Sequence, residues 1–307
     1  MHNILITGGA GFIGTALATK LKTLGHDITI IDLESKFTFI HDDFTKYNLD
    51  IREYKNFKLL ENKKYDYIFH LAAQTSSAIS QEEPALDVDT NVKGTMNICN
   101  FARVCQAKKI IFTSSMATYG NKKGKIKEID IQEPLSNYGV SKVAGEFYLN
   151  MFKQFGIENT IFRLFNVYGP GQDMSNLRQG MASIFMAQSI MSNTIKVTGS
   201  FERYRDFVYV DDVVDALIMG MDENLNSQVF NVGSGKATTV RELIDLIIDI
   251  NDKPNDSFEI INIGSHEGDQ FGSISDSSKL LSLGWNPKVK IEDGMKNMYD
   301  YAKKVII

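Results

Sequence analysis

The stretch NILITGGAGFIG, residues 3–14, decides the fold of this chain. A short apolar strand pattern, residues 3–7, runs directly into three spaced glycines, and a helical pattern follows them. In this order, strand, turn and helix let the backbone approach a pyrophosphate closely, and the helix N-terminus offsets its charge. We therefore predict a dinucleotide site, although a tight turn without a ligand is the alternative. The predicted contacts are Gly8, Gly11, Phe12, Ile13 and Gly14.

The second predicted strand ends beside a carboxylate. Asp32 follows Ile31, about 20 residues beyond the glycines, where an acidic side chain accepts both ribose hydroxyls of adenosine and repels a ribose phosphate. A carboxylate at this position favours NAD over NADP. The alternative is that Asp32 is a solvated residue at the end of the strand. Asp50 and Ile51 are candidates for holding the adenine, but a surface turn explains this pair nearly as well.

Strand and helix patterns alternate through the first half of the chain. The alternation predicts an α/β fold, a Rossmann-type doubly wound parallel sheet with helices on both faces. Predicted buried strands cover residues 4–7, 27–31, 67–71, 109–113 and 159–163. Predicted helices cover residues 14–24, 91–105, 139–155, 178–191 and 240–250, the last after a capping box of Thr239 and Glu242.

The rhythm changes after residue 166, where loop signals replace the regular alternation. We therefore expect a dinucleotide-binding domain over residues 1–165, with a returning segment near 205–232. A smaller mixed region over residues 166–307 is expected to bind the substrate.

Composition excludes several classes of protein. With 307 residues and 43% hydrophobic content, the chain can bury a large core. A net charge of -5 argues against a nucleic-acid partner. No apolar run approaches the roughly 20 residues of a membrane span, and no signal peptide is evident, so we expect a cytoplasmic protein. Cys99 and Cys105 match neither a zinc pair nor a redox pair, and we predict reduced thiols and no metal.

Tyr138 and Lys142 stand four residues apart on one predicted helix face. A tyrosine that works as a base near neutral pH must have its pKa lowered by about 3, which is worth about 4 kcal/mol. One positive charge about 4 Å away supplies this amount at an effective dielectric constant of about 20. By themselves, a tyrosine and a lysine at this spacing are more often exposed residues on a helix surface than catalytic ones. However, Ser114 and Ser115 end a predicted strand, where open α/β sheets bind ligands.

The order of these motifs resembles the extended short-chain dehydrogenase/reductase family, in its nucleotide-sugar epimerase and dehydratase branch. The resemblance spans nearly the whole chain. Besides the glycine turn and the Ser/Tyr/Lys set, it rests on HLAAQ at 70–74, NVKGT at 91–95, RLFNVYGP at 163–170 and RDFVYVDD at 205–212.

The resemblance implies a role for individual residues. Tyr138 is similar to the family's catalytic base, Lys142 to the residue that holds the nicotinamide ribose and lowers the tyrosine pKa, and Ser115 to the hydroxyl that binds the reacting sugar oxygen. Asn166 and Arg205 resemble ligands of a nucleoside-diphosphate sugar; an ion pair with Asp206 or Asp211 is the alternative for Arg205. Further cofactor contacts would be Leu71, Ala72, Ala73, Asn91, Ser114 and Tyr138 itself, although buried support of the sheet is the favoured role for Asn91.

The implied reaction begins with oxidation of the sugar C4 hydroxyl by NAD. A 4-epimerase then returns the hydride to the other face of a 4-keto sugar. A 4,6-dehydratase has an acidic pair after the strand, whereas this chain has Met116 and Ala117, which disfavours dehydration. A 4-dehydrogenase or 4-ketoreductase remains the alternative, and a non-catalytic NAD sensor is a distant one.

One departure concerns the nucleotide. Where many UDP-sugar epimerases have an arginine, this chain has His266, which would contact phosphate only when protonated. A UDP-hexose remains the favoured substrate, and a GDP-linked sugar stays open.

The predicted helices near 91–105 and 139–155 carry more apolar residues than one buried stripe needs. Members of the family commonly pair these helices across a twofold axis, so the resemblance implies a homodimer. Packing within one subunit is the alternative. The surplus residues are Met96, Ile98, Phe101, Phe147, Leu149, Met151 and Phe152.

Overall fold

The computed structural model describes residues 1–33, 43–178, 180–264 and 271–306. The chain forms two compact units. The first comprises Met1–Gly120, Ile131–Leu164 and Val214–Phe230, and the second Asn121–Asp130, Phe165–Val213 and Asn231–Ile307. The second unit includes residues 121–130, because a short strand in this segment pairs within that unit, whereas the sequence-based division placed them in the first. The returning segment of the first unit begins at Val214, later than the predicted start near residue 205.

The bounds of the regular elements are as follows. The strands are β1 Asn3–Thr7, β2 Asp27–Asp32, β3 Thr45–Asn48, β4 Tyr67–His70, β5 Lys109–Ser115, β6 Lys125–Ile126, β7 Glu158–Leu164, β8 Asn166–Tyr168, β9 Thr194–Val197, β10 Tyr204–Arg205, β11 Phe207–Tyr209, β12 Gln228–Val232, β13 Thr238–Thr239, β14 Glu259–Asn262 and β15 Gly272–Ser275. The helices are α1 Phe12–Thr23, α2 Ser77–Glu82, α3 Pro84–Asp87, α4 Gly94–Val104, α5 Asn137–Phe152, α6 Met181–Met191, α7 Val210–Met219, α8 Val240–Asp249, α9 Ser278–Leu281 and α10 Ile291–Ile306. A π-helical turn, Val88–Lys93, joins α3 to α4.

The first unit is built on a seven-stranded sheet in the order β12-β7-β5-β4-β1-β2-β3. The neighbours from β3 to β7 all pair in parallel. The strand order reverses between β1 and β4, which is where open sheets of this kind bind ligands. The predicted Rossmann-type doubly wound fold is therefore confirmed.

Burial explains why the strands could be predicted from the sequence. Every residue of β4 and β5 is buried, as expected for parallel strands covered on both faces. Side chains from β1, β4 and β5 share one core with apolar residues of α4 and α5. Of the surplus residues on those helices, Ile98, Phe101, Leu149 and Phe152 lie in this core, Met96 is half-buried, and Phe147 and Met151 are exposed.

The second unit contains smaller sheets. Four strands lie in the order β13-β10-β15-β6, and two parallel pairs, β8 with β11 and β9 with β14, complete them. The predicted capping box of Thr239 and Glu242 begins α8. Helix α6 begins at Met181, three residues later than predicted, because Gly180 has a φ of 87°, outside the helical range.

The described helices include none that combines the length and the apolar character needed to cross a membrane.

Candidate active site

The glycine turn brings the start of α1 against the end of β1. Gly11 is the N-cap residue of α1, and no side chain caps the helix there. The first-turn amides of Phe12, Ile13 and Gly14 are therefore not capped by a side chain, which suits an anionic group. A Cβ atom on Gly14 would lie 2.2 Å from the carbonyl oxygen of Gly8, so the turn closes only around a glycine.

Alanine substitutions at two glycines of the turn should have different effects, one on cofactor binding and the other on stability. A Cβ atom on Gly11 would meet only the Gly8 carbonyl oxygen, at 3.3 Å, and its φ of -80° suits alanine. We expect Gly11→Ala to fold and to bind NAD roughly 5- to 150-fold more weakly, since a methyl group overpacked against the ligand costs about 1–3 kcal/mol. Gly14→Ala should lower the unfolding midpoint instead. Calorimetric titration with NAD and urea unfolding of both variants test this, and equal NAD affinity of Gly11→Ala and wild type would contradict it.

Asp32 ends β2 beside this turn. Its carboxylate accepts the backbone N–H groups of Ala10, at 3.0 Å, and of Leu33, at 2.8 Å. The carboxylate thus orients the glycine turn, and its contact with the ribose hydroxyls stays a prediction.

The predicted adenine contacts have different surroundings. Asp50 forms a bidentate ion pair with Arg52, and this hydrogen bonding lowers the pKa of Asp50. Ile51 is buried in the core, where its carbonyl oxygen accepts a hydrogen bond from the side chain of Asn97.

The end of β4 is tied to the end of β1 by a directed chain of hydrogen bonds. The N–H of Leu71 donates to the Thr7 carbonyl oxygen, and the N–H of Ala72 donates to Thr7 Oγ1 at 3.2 Å. Thr7 Oγ1 lies 2.7 Å from Nδ1 of His70, and His70 Nε2 lies 3.0 Å from Oγ1 of Thr95. Thr95 Oγ1 donates its own proton to a carbonyl oxygen, so it accepts from Nε2–H, and His70 is the neutral Nε2–H tautomer.

This chain of bonds makes a pH-dependent prediction. Burial lowers the pKa of His70 from 6.5 to about 3. Below 6.5 the unfolded chain takes up a proton that the folded protein does not bind until about pH 3, so stability falls as the pH falls through this window. As the pH falls from 7 to 5, this imidazole should lower the free energy of unfolding by about 2 kcal/mol. The difference in the free energy of unfolding between wild type and His70→Gln, measured in urea, should therefore shrink by about this amount from pH 7 to pH 5. A difference that stays constant would contradict the prediction.

Asn91 lies on the π-helical turn and uses its whole amide within the protein. Its Oδ1 accepts the Gln74 N–H at 2.8 Å, and its Nδ2 lies 3.0 Å from Ser141 Oγ and 3.1 Å from Asp87 Oδ1. Asn91 therefore joins the end of β4 to α5, which agrees with a supporting role for its side chain. Ala73 lies beside this junction, in the segment that follows β4.

Ser115, Tyr138 and Lys142 come together because α5 begins very close to the end of β5. Gly139 makes this approach possible, since a Cβ atom there would lie 2.6 Å from the Ala117 carbonyl oxygen. Ser136 caps α5 by accepting the N–H of Gly139 at 3.1 Å. Ser115 Oγ accepts the N–H of Ala117 at 3.1 Å, and the Ser115 side chain is close enough to the Tyr138 phenol to act on its pKa. Lys142 Nζ lies 5.9 Å from the centre of the Tyr138 ring.

The charge states of this pair are set by burial. Burial raises the pKa of Tyr138 to about 12, and the nearby Ser115 hydroxyl opposes the rise. Burial lowers the pKa of Lys142 to about 8, while its Nζ donates to the Thr113 carbonyl oxygen at 3.0 Å. The family resemblance implied that Lys142 lowers the pKa of Tyr138. Among the protein's own groups, however, desolvation of the phenol has the largest effect, and it raises this pKa.

Ser114 points away from this cluster. Its hydroxyl donates to Glu146 Oε1 at 2.5 Å, and the same carboxylate is paired with Arg163 at 2.9 and 2.7 Å. Arg163 also donates to the Tyr119 hydroxyl at 2.9 Å. The Ser114 hydroxyl therefore supports a buried ion pair. Its expected contact with the cofactor stays a prediction.

The predicted diphosphate ligands lie in the second unit. Asn166 donates its backbone N–H and its side-chain Nδ2 to the Asp206 carbonyl oxygen, both at 3.1 Å. Arg205 lies on β10 and donates to the Tyr204 carbonyl oxygen at 2.8 Å. The Asp206 carboxylate accepts hydrogen bonds from the backbone and hydroxyl groups of Ser234 and Ser275 and from the Gly235 N–H. His266 lies outside the described residues.

Comparison with known proteins identifies the family. A profile described as the NAD dependent epimerase/dehydratase family matches residues 4–233. The chain belongs to this family. A UDP-glucose 4-epimerase of Mycolicibacterium smegmatis is 34% identical, over 97% of this chain and 98% of its own.

Two solved structures of family members are also similar. The crystal structure of UDP-glucose 4-epimerase with UDP-glucose from Thermotoga maritima has a TM-score of 0.93 and 35% identity, covering 99% of this chain and 100% of that one. The structure of UDP-glucose 4-epimerase complexed with NAD from Thermus thermophilus has a TM-score of 0.87 and 28% identity, covering 98% and 99%. The protein is thus an NAD-dependent enzyme of the epimerase/dehydratase family.

The residues present fit the family's cofactor. No side chain caps the start of α1, and Asp32 stands at the end of the neighbouring strand. Two charged residues near the site, Asp87 and Glu146, escaped the sequence analysis. Glu146 follows Lys142 by four residues, and this helical spacing was a usable signal. Asp87 had no comparable signal in the sequence, because it is far from Tyr138 and Lys142 along the chain and only the tertiary structure brings them close.

Proposed function

We propose that this family member is an NAD-dependent nucleotide-sugar 4-epimerase that acts through a 4-keto intermediate, with a UDP-hexose as its substrate. The observation that carries the proposal is the Tyr138 phenol near Ser115 and one helical turn from Lys142, whose Nζ lies 5.9 Å from the centre of the Tyr138 ring. The full-length likeness to proteins named UDP-glucose 4-epimerase supports the choice of reaction and nucleotide.

The proposed chemistry assigns one task to each side chain. Ser115 holds the sugar C4 oxygen by a hydrogen bond, and Tyr138 accepts the C4 hydroxyl proton and later returns it. Lys142 holds the nicotinamide ribose and contributes positive charge beside the phenol. Bound NAD supplies the hydride acceptor and donor and, as a cation, adds positive charge that favours the phenolate. Asn166, Arg205 and His266 are proposed ligands of the substrate diphosphate.

Dehydration is disfavoured by the residues that follow Ser115. Met116 and Ala117 occupy the positions where the family's dehydratases carry an acidic pair, so no carboxylate there would remove water from the sugar. A 4-dehydrogenase or 4-ketoreductase uses the same three residues and differs in whether the reduced cofactor stays bound.

A substrate panel tests the proposal. Purified protein is incubated with UDP-, GDP- and dTDP-linked hexoses, while NADH absorbance and the C4 configuration of the product are followed. Equilibration of C4 epimers without accumulation of NADH is the expected result. Stoichiometric NADH with a keto product would assign the dehydrogenase reaction instead, and no change in any sugar would overturn the proposal.

We also propose a homodimer that pairs α4 and α5 of two copies. Val140, Phe147 and Met151 lie at helical spacing on α5 and are 54%, 69% and 47% exposed. Such an apolar stripe favours burial against a second copy. We expect light scattering to give twice the chain mass for wild type and the single-chain mass for Phe147→Glu. A monomeric wild type would contradict the proposal.

We further propose a cytoplasmic location. Cys99 and Cys105 are free, buried thiols, and burial raises the pKa of both. Unpaired cysteines are typical of a reducing compartment.

A further inference from the structure

Asp87, at the end of α3, is a completely buried carboxylate. Its Oδ1 accepts hydrogen bonds from Gln74 Nε2 at 2.8 Å and from Asn91 Nδ2 at 3.1 Å. Its Oδ2 is also buried and has no hydrogen-bond partner among the described residues. A buried carboxylate with one unsatisfied oxygen is costly unless a positive charge nearby compensates it.

The compensating charge is available on α5. Lys142 is 4% exposed, and an ammonium in such a site needs negative charge nearby to stay protonated. Asp87 and Glu146 both stabilise its charged form, and Asp87 contributes more. Glu146 is already neutralised by its bidentate pairing with Arg163. Asp87 Oδ2 has no partner among the described residues, and Asn91 links the Asp87 carboxylate to Ser141, the residue before Lys142, so Asp87 is the carboxylate whose charge is available to Lys142.

The other titratable groups around this pair do not replace Asp87. His70 faces Lys142 from β4 and is neutral, because its pKa is about 3. Tyr138, on α5 itself, is an uncharged phenol near neutral pH. Asp87 also acts on Tyr138, whose protonated form it favours.

We propose that Asp87 is a positioning residue whose carboxylate keeps Lys142 charged and Tyr138 protonated in the resting enzyme. The hydrogen-bond geometry supports this role. Asn91 bridges Asp87 to Ser141 Oγ, at 3.1 and 3.0 Å, and Ser141 Oγ donates to the Tyr138 carbonyl oxygen at 2.9 Å. The carboxylate is thereby held at a constant place relative to α5. The proposal rests on the proposed function for the roles of Tyr138 and Lys142.

Asp87→Asn removes the charge with little change of shape. The amide oxygen keeps both hydrogen bonds of Oδ1, and the amide nitrogen replaces the oxygen that has no partner. Because Asp87 raises the pKa of both Lys142 and Tyr138, we expect both limbs of the pH–rate profile to move to lower pH. A purely structural role would lower the rate without moving the limbs.

A second measurement does not depend on turnover. NMR of NAD-loaded protein with isotope-labelled lysine, assigned with Lys142→Arg, follows the titration of Lys142 directly. Its midpoint should move to lower pH in Asp87→Asn. If wild type epimerises no sugar, the proposed function fails, while this titration still decides the role of Asp87.

Asp66→Asn is the matched control. It removes one negative charge next to β4 but at the opposite end of that strand, where Asp66 pairs with Lys108. We expect its Lys142 midpoint to equal that of wild type. An unchanged midpoint in folded Asp87→Asn, or an equal shift in both variants, would overturn the proposal. Asp87→Ser, which is also neutral, provides the same test should the asparagine variant fold poorly.

Discussion

Tyr138→Phe should lose nearly all turnover while still binding NAD. The substitution removes only the hydroxyl that exchanges the C4 proton, so kcat should fall on the order of 10²–10⁴-fold. The predicted pyrophosphate site at α1 lies on other elements, so the affinity for NAD should change little. Steady-state epimerisation kinetics and calorimetric NAD binding measure the two quantities.

The matched control is Tyr148→Phe, ten residues further along α5. This variant loses the same hydroxyl at a position that packs against the core, and we expect turnover within about twofold of wild type. Comparable turnover in Tyr138→Phe and Tyr148→Phe would remove Tyr138 from the chemistry.

Arg163→Met should have the largest effect on stability. Arg163 is 4% exposed and its partner Glu146 is 5% exposed, so the variant leaves a carboxylate buried without its cation. Breaking a buried pair in this way costs about 3–5 kcal/mol. Urea unfolding should show this loss at neutral pH. Because Glu146 also holds Ser114 and Gln132, the end of β5 should loosen with it.

Arg52→Met is the comparison for this prediction. Its bidentate partner Asp50 lies nearer the surface, and the variant should lose no more than about 1 kcal/mol. A double variant, Arg163→Met with Glu146→Gln, should recover part of the loss, because it no longer buries an unpaired charge. Equal losses for Arg163→Met and Arg52→Met would contradict the assignment of a buried pair.

Features that depend on neighbouring residues were predictable. The glycine spacing at 8, 11 and 14 carries its meaning locally, since the turn closes through contacts between Gly8 and Gly14. The five strands β1, β2, β4, β5 and β7 were predictable because they are almost entirely buried, whereas the partly exposed β3 was not predicted. The start of α8 was predictable because Thr239 and Glu242 cap it within one turn. Even so, α6 began later than its apolar pattern indicated.

The remaining features depend on contacts between distant parts of the chain. The sequence by itself determined the sheet, the glycine turn and the Tyr138–Lys142 spacing, since each follows from periodicity or from a short range of residues. Only the tertiary structure decided that Ser114 supports Glu146 while Ser115 contacts Tyr138, and that Asp87 lies near Lys142. It also decided that Tyr138 has a raised pKa, because desolvation depends on what every packed element removes from water.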